Sequence, residues 1–542
     1  MPISSTTTID SVFSTSTKAQ SAIASAYQKI LSQGLPYQGI WNSMLGANLS
    51  GEMNYGFNWT ISYSMIINGY TASGSSEDLD GFNTNYTMLR QAYLVKENIA
   101  KVHDMSDADK SVVRAEMQAL IAYRYTQMLI EFGGVPIVNK ALLPTDNLAI
   151  PRSSVKEVLD SIVSWCDQSA KVLPSSWPAT WHGRMTKSAA LAIKAKALLY
   201  AARPLFNTDT PYLNFGSHNN LICLGSYDSK RWDAAAAAND AVIAEAENNG
   251  GFHIINTGNP LDDYGTATST PDNPEVLLAF KCDDPNGSMK WFYDIHNWMG
   301  YGNVLTTNFL ENYCKDDGTD QVWPGVEVTT PFSDYMTKMN QMEARFKASF
   351  WAWQIDAWGN PGDTHWKAQS LFQWNCTGCA EATKFYYKAG SRQWMEFPIF
   401  RLAAAYLGAA EAYNEMGGTQ NTKLALDRLN TIHQRAGLPA ITETDQTKLR
   451  AIIQREWAVE FFDENYRLHD IKHWKLANIG NGIIGGTIRG FNFNDGKGSL
   501  ATNNINYCDH ILYQGFWAPK EYLNPFPQSE INKGILIQNP GY

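Results

Sequence analysis

Apolar residues recurring at three- and four-residue spacing, in runs closed by glycine or proline, constrain this chain most, because such runs bury their stripe only by packing as helices. Val113, Met117, Leu120, Ile121, Met128, Leu129 and Phe132 share one helical face, and Gly133-Gly134-Val135-Pro136 ends that run. Ser154 with Glu157 three residues on forms a capping box, and Val155, Val158, Leu159, Ile162, Val163 and Cys166 make the stripe behind it. The same pattern predicts helices over 18–33, 186–203, 232–248, 398–416, 422–436 and 446–462. Each of these is punctuated in turn by Gly34, Pro204, Gly250-Gly251, Gly417-Gly418 or Gly437 with Pro439, the last helix excepted.

Helices following one another across short breakers read as stacked antiparallel pairs, although no strict repeat of about 34 residues is present. The expected fold class is therefore mainly α: a tetratricopeptide-like helix-pair scaffold with long irregular loop insertions and a few short strands. Residues 1–17, rich in Ser and Thr, read as an N-terminal tether, and 18–542 as a single domain. Within that domain the helical scaffold covers about 86–250 and 397–478. Loop-rich segments at about 34–85 and 252–396 are the functional suspects, and a Gly- and Asn-rich tail over 479–542 wraps the surface. Short strands are expected at 275–280 and 382–388.

Several function classes fall away early. A net charge of −10 gives no cationic surface for nucleic acid. No apolar run approaches the ~18 residues of a membrane-spanning helix, and no basic, apolar export signal opens the chain. Phosphate-binding glycine loops and G-x-S-x-G elbows are absent from the sequence. His469-Asp470-Ile471-Lys472-His473 spaces two histidines like a zinc-binding pair, but Asp replaces the Glu that would hold the water, and the run reads as structural. Asp78 to Asn83 and Asp316 to Asp320 lack the twelfth-position Glu of a calcium loop and read as polar turns. Cys376 and Cys379 form one isolated C-x-x-C, read as a local disulfide or two free thiols. No cofactor or metal is expected.

The remaining signal is aromatic. Of 18 tryptophans, eight fall between residues 252 and 393: Trp291, Trp298, Trp323, Trp351, Trp353, Trp358, Trp366 and Trp374. A sugar ring offers an apolar face of C–H groups and an edge of hydroxyls. Indole rings stack on the face, and amides and carboxylates bond the edge. On this chemistry the candidate stacking residues are Trp291, Trp298, Trp353 and Trp358, joined by Trp59 and Trp323. Asp80, Asn83, Asp294, Asn297 and Asp356 are the candidate hydroxyl partners. For any one of these tryptophans, burial under a long loop is the competing explanation.

The helical blocks also carry a resemblance. The segment from Ala122-Tyr123-Arg124-Tyr125 to Phe132-Gly133-Gly134-Val135-Pro136 resembles the Tyr-rich helix and glycine turn of the SusD/RagB family, nutrient-binding lipoproteins of the Bacteroidetes outer surface. Arg401 to Glu415, Leu429 to Pro439, and Arg455-Glu456 with Glu460 and Tyr466 to Ile471 are similar to further family segments in the same order. So are Tyr522 to Ile531 and the closing Gln538-Asn539-Pro540-Gly541-Tyr542. The resemblance implies a non-catalytic protein that binds oligosaccharide or polysaccharide and passes it to a SusC-like TonB-dependent outer-membrane transporter. It implies a cell-surface, lipid-anchored location, although neither anchor cysteine nor signal peptide opens this chain. It makes Asp470 a structural position. Family ligand loops share no motif, so the site residues above rest on chemistry alone. The same scaffold binding peptides or another nutrient, or a glycoside hydrolase, are the alternatives.

Overall fold

The computed structural model describes residues 8–32, 45–54, 61–73, 82–282, 304–352, 378–386, 395–478, 484–493 and 506–542. The chain divides into two compact units: residues 1–34, 71–251 and 522–542 form unit 1, and residues 35–70 and 252–521 form unit 2.

Unit 1 is a succession of helices in which each packs on the next: Ser16–Ser32, Phe82–Asn98, Asp107–Phe132, Val155–Ala170, Lys187–Ala202 and Lys230–Glu245. The expected capping box is present, with Ser154 Oγ accepting from Glu157 N and the Glu157 carboxylate accepting from Ser154 N. Small residues let the later helices approach: Ala189, Ala190, Ala197, Ala235 and Ala236 are all buried. Part of the expected tether is ordered. Ile9–Val12 forms one helical turn capped by Thr8, and Asp10 pairs with Lys101 at 2.7 Å.

The family-like segments of unit 1 meet at one guanidinium. Arg152 donates to the carbonyls of Gly134 (2.7 Å), Phe132, Leu221 and Ile537, and to Asn539 Oδ1 (2.9 Å), while lying over the Phe526 ring. Asn539 in turn donates to Phe132 O and Asn524 O. Gly134 is required here, because a Cβ at that position would meet Ser153 O at 2.1 Å. The glycine turn and the chain's last residues are thus two sides of one lock.

Unit 2 combines the helices Leu402–Met416, Thr419–Arg435 and Gln446–Glu460 with short strands and helices from the loop-rich stretch. Pro260–Ser269, Phe332–Asn340 and Ala344–Ser349 are helices where irregular chain was expected. Phe309, Tyr313, Tyr335, Phe346, Phe350, Phe462, Phe491 and Tyr507 build its aromatic core. Two boundaries differ from expectation. Residues 398–401 are not helical: Met395–Arg401 is a strand pairing antiparallel with Val276–Cys282, and the helix starts at Leu402. Ile399 and Leu402 satisfy a helical spacing by coincidence, and Pro398 is tolerated because, among the described residues, this strand has one neighbour and so an open edge. Of the strand expected at 382–388, the described part, up to Tyr386, is the strand Glu381–Ala382 followed by a tight helical turn at Lys384–Tyr386, and 387–388 lie outside the described residues. That turn carries the Lys384 ammonium to Phe462 O and Glu464, both at 2.6 Å. The tail also departs from a simple wrap, since Thr487–Asn492 and Asn506–Gln514 pair as antiparallel strands.

Candidate ligand-binding site

Nine of the eleven candidate residues, Trp59, Asp80, Trp291, Asp294, Asn297, Trp298, Trp353, Asp356 and Trp358, lie outside the described residues. The other two belong to different units. Asn83 is exposed in the first turn of the helix Phe82–Asn98, where its carbonyl accepts from Thr87 Oγ1. Trp323 is half-buried and packs its ring on Phe491 at 5.6 Å between centroids, against the aromatic core of unit 2. Its indole N–H is buried and meets no acceptor among the described residues. A ring with one side in the core and a hydrogen-bonding atom shut from solvent offers a ligand only its rim. Around it, Val322 is 77% exposed, and Val326, Val328 and Ile511 are exposed as well.

What the family-like segments of unit 2 bring together is charge. Arg401 Nη1 bonds Glu275 (2.8 Å) and Glu460 (2.7 Å), and its Nε and Nη2 both bond Glu464. Arg435 bonds the same Glu275 (3.1 Å) and Glu460 (2.5 Å). Arg345 bonds Glu343 (2.7 Å) and Glu456 (2.5 Å), and His433 Nδ1 lies 2.9 Å from the other Glu456 oxygen. All of these side chains are buried. Burial alone would raise the Glu456 carboxyl, but Arg345, then His433, outweigh it and hold it at about 2. Glu460 is likewise held at about 2 against burial by Arg435, Arg401 and Arg345. Burial alone would also lower Arg401, yet Glu464 and Glu460 place it well above its ordinary value. These carboxylates are saturated by guanidinium and closed to solvent, so the network holds the fold together rather than meeting a ligand.

The zinc-like run reads the same way. Arg467–His473 is a short helix in which Asp470, Lys472 and His473 are buried, and Trp474 donates to Glu411 at 2.8 Å. Among the described residues no group of three His, Cys, Asp or Glu is placed to hold a metal ion. The Asp316–Asp320 segment is a turn with Gly318 at φ +81°, Thr319 N donating to Asp317, and Asp320 paired with Arg455. Cys379 is a buried free thiol 3.4 Å from Thr307 Oγ1, and its motif partner Cys376 lies outside the described residues.

One exposed aromatic escaped the sequence reading. Trp181, in unit 1, is 44% exposed and sits beside Trp177 and Arg184. The signal was legible as Trp177-Pro178-Ala179-Thr180-Trp181-His182-Gly183-Arg184, two tryptophans around a proline-led turn between helices, but it stood outside the tryptophan-rich stretch.

A helix-pair unit followed by a mixed, loop-bearing unit defines a recognisable class of scaffold, and comparison with known proteins identifies it. The SusD family model matches residues 256–542, and a second model, described as starch-binding associating with outer membrane, matches residues 4–199. The chain belongs to the SusD family. A SusD-like protein from Bacteroides fragilis superposes with a TM-score of 0.75 at 22% identity, covering 98% of both chains. A SusD-like carbohydrate-binding protein from the same organism gives 0.69 at 18% identity, over 97% of this chain and 99% of that one. A laminarin-binding SusD-like protein gives 0.59 at 16% identity, over 98% and 100%. At these identities the likeness speaks to fold alone. No curated protein matches the chain in sequence.

Proposed function

We propose that this chain is a non-catalytic glycan-binding protein, lipid-anchored at the outer surface of the outer membrane, that delivers oligosaccharide or polysaccharide to a SusC-like TonB-dependent transporter. The observation that carries this reading is membership of the SusD family, with a fold shared along almost the whole length of a carbohydrate-binding relative. The chemistry of the sequence supports it. Tryptophans and amides concentrate in segments outside the helical scaffold, while the charged residues that match family positions are consumed by buried ion pairs. Stacking falls to Trp291, Trp298, Trp353 and Trp358, with Trp59 as a weaker candidate and Trp323 contributing its rim alone. Asp80, Asn83, Asp294, Asn297 and Asp356 supply hydroxyl contacts.

A glycan array probed with the full chain, followed by calorimetry on the best ligand, tests the reading. Binding to a neutral polysaccharide is expected, with no new products after long incubation. Alanine at all four leading tryptophans is expected to weaken that binding at least tenfold. Unchanged affinity would sink the site assignment, and sustained release of product would replace binding by hydrolysis. Retention of peptides in place of glycans would leave the scaffold and change the ligand.

A further inference from the structure

Among the described tryptophan side chains, Trp181 alone is more than a third exposed, and the chain that carries it is braced by hydrogen bonds and ring contacts. It closes the short helical turn Ala179–Trp181, its own N–H donating to Pro178 O at 2.8 Å. The Arg184 guanidinium lies over two rings, 4.1 Å from the Trp177 centroid and 5.1 Å from that of Trp181. That guanidinium is clamped from below: Nε reaches Glu116 Oε1 at 2.7 Å and Nη2 reaches Oε2 at 2.5 Å. Glu116 is fully buried and also accepts from the Tyr27 hydroxyl at 2.8 Å, and Tyr27 in turn accepts from Met185 N at 2.7 Å. Trp177 Nε1 donates to Met185 O, which fixes the second ring.

Arg184 answers the buried Glu116 carboxylate, but leaving the Trp181 indole in water beside that pair forgoes the stabilisation that burial would bring and has no evident return for the folded chain alone. The return comes with a ligand, because a ring already held still loses little entropy on binding. The ligand's chemistry follows from charge. Arg184 is the cation nearest the rings, and Glu116 neutralises it, so the platform presents an apolar face with no net charge. Ser176, Thr180 and His182, all within five residues of Trp181 in the chain, are exposed and add polar groups to the same segment. We propose that Trp181 is a second glycan contact, in unit 1, on which the C–H face of a neutral pyranose stacks, apart in the chain from the tryptophan-rich segment at 252–396. This inference rests on the glycan-binding reading and adds to it a site that the reading does not include.

The test uses the full chain with soluble starch, laminarin and an acidic polyuronate. Affinity gels identify the polysaccharide that retards the chain, and hydroxyl-radical footprinting with mass spectrometry reads oxidation at Trp181 in its presence. Trp181 oxidation is expected to fall at least threefold with a retarding neutral polysaccharide and to stay unchanged with the polyuronate. Trp181→Ala is expected to bind at least fivefold more weakly, with an unaltered thermal midpoint, and Trp181→Phe to recover part of the loss. Retardation of the parent with unchanged Trp181 oxidation, or full affinity in Trp181→Ala, would overturn the second contact alone and leave this face to a protein partner. Failure of every polysaccharide to retard the parent would overturn the glycan reading, and the second contact with it.

Discussion

The two units each centre on a buried arginine, and they solve the problem of burying it in opposite ways. Arg152 of unit 1 is held by four backbone carbonyls and one amide oxygen, with no carboxylate among its partners in the described residues. Burial accordingly pulls its pKa down to about 9. Arg401 of unit 2 is held by Glu275, Glu460 and Glu464, and its pKa rises. A guanidinium surrounded by neutral acceptors works as a geometric template, its fork matching several carbonyls at once. A guanidinium surrounded by carboxylates works as a charge ledger, in which each member depends on the rest. The first arrangement tolerates changes of pH. The second fails when any one charge is removed.

Removing a charge from unit 2 is expected to have the largest effect. Arg401→Met leaves Glu275, Glu460 and Glu464 short of a partner in a buried interior, a loss of about 3–5 kcal/mol. Chemical denaturation should show it, with proteolytic cuts appearing first between residues 252 and 521. A drop below ~1 kcal/mol would mean that the network is solvated. Arg152→Met is expected to be milder, about 2–3 kcal/mol, since it strands neutral acceptors at ~1–3 kcal/mol apiece while the chain's end relaxes toward water. Arg152→Lys should restore little of it, because an ammonium lacks the planar fork. If the Arg152 variant were the more damaging, the contrast between the units would be reversed.

Acid separates the units next. Glu456 and Glu460 titrate in the folded state at about 2, below their ordinary 4.5. A depressed carboxylate contributes stability that is complete above its unfolded pKa and lost as pH falls, here between about 4.5 and 2. Glu52 and Glu521, also in unit 2, are pushed by burial in the other direction, to about 7. Their contribution is complete below about 4.5 and is lost as pH rises through 7. Hydrogen exchange should therefore find the Gln446–Glu460 helix best protected between these limits and first to open near pH 3. The Arg152 lock shifts only above about 9, so peptides at 132–138 and 536–542 should keep their protection at pH 3. Simultaneous opening of both sets would show that acid acts on something the two units share.

The scaffold was legible because helices announce themselves locally. Gly133-Gly134, Ser154 with Glu157, and the alanines of Lys187–Ala202 each fix a boundary or a packing distance within a few residues of chain. The strand Met395–Arg401 was not legible, because its partner Val276–Cys282 is more than a hundred residues away and its apolar positions fit a helix equally well. The ion-pair network was hidden for the same reason. Glu275, Arg345, Lys384, Arg401, Arg435 and Glu460 are scattered, and no spacing predicts that they converge. The candidate site was legible only as chemistry. Tryptophan enrichment pointed to a stretch of chain, but of its tryptophans the one whose side chain is described, Trp323, is half-buried and packs against the core. The exposed Trp181, with Trp177 four residues before it, lies outside that stretch, in a short connection between two helices.

The smallest effect tests whether the contrast lies in buried charge or in the helices themselves. Ser154 caps a helix in unit 1 by accepting from Glu157 N at 3.2 Å, and Asp445 caps one in unit 2 by accepting from Lys448 N at 2.9 Å. Both cap bonds are exposed, each satisfies one backbone donor left open by the first turn, and neither capping side chain bonds Arg152 or Arg401. Alanine at either position is expected to cost about 1 kcal/mol, read as equal shifts of the denaturation midpoint. Asp445→Ala should lose a few tenths more at low salt, since its carboxylate also opposes the positive end of the helix, and that excess should vanish at high salt. Equal caps alongside unequal cores would place the difference between the units in how each buries its arginine. A much costlier cap in unit 2 would place it instead in helices that fold less readily by themselves.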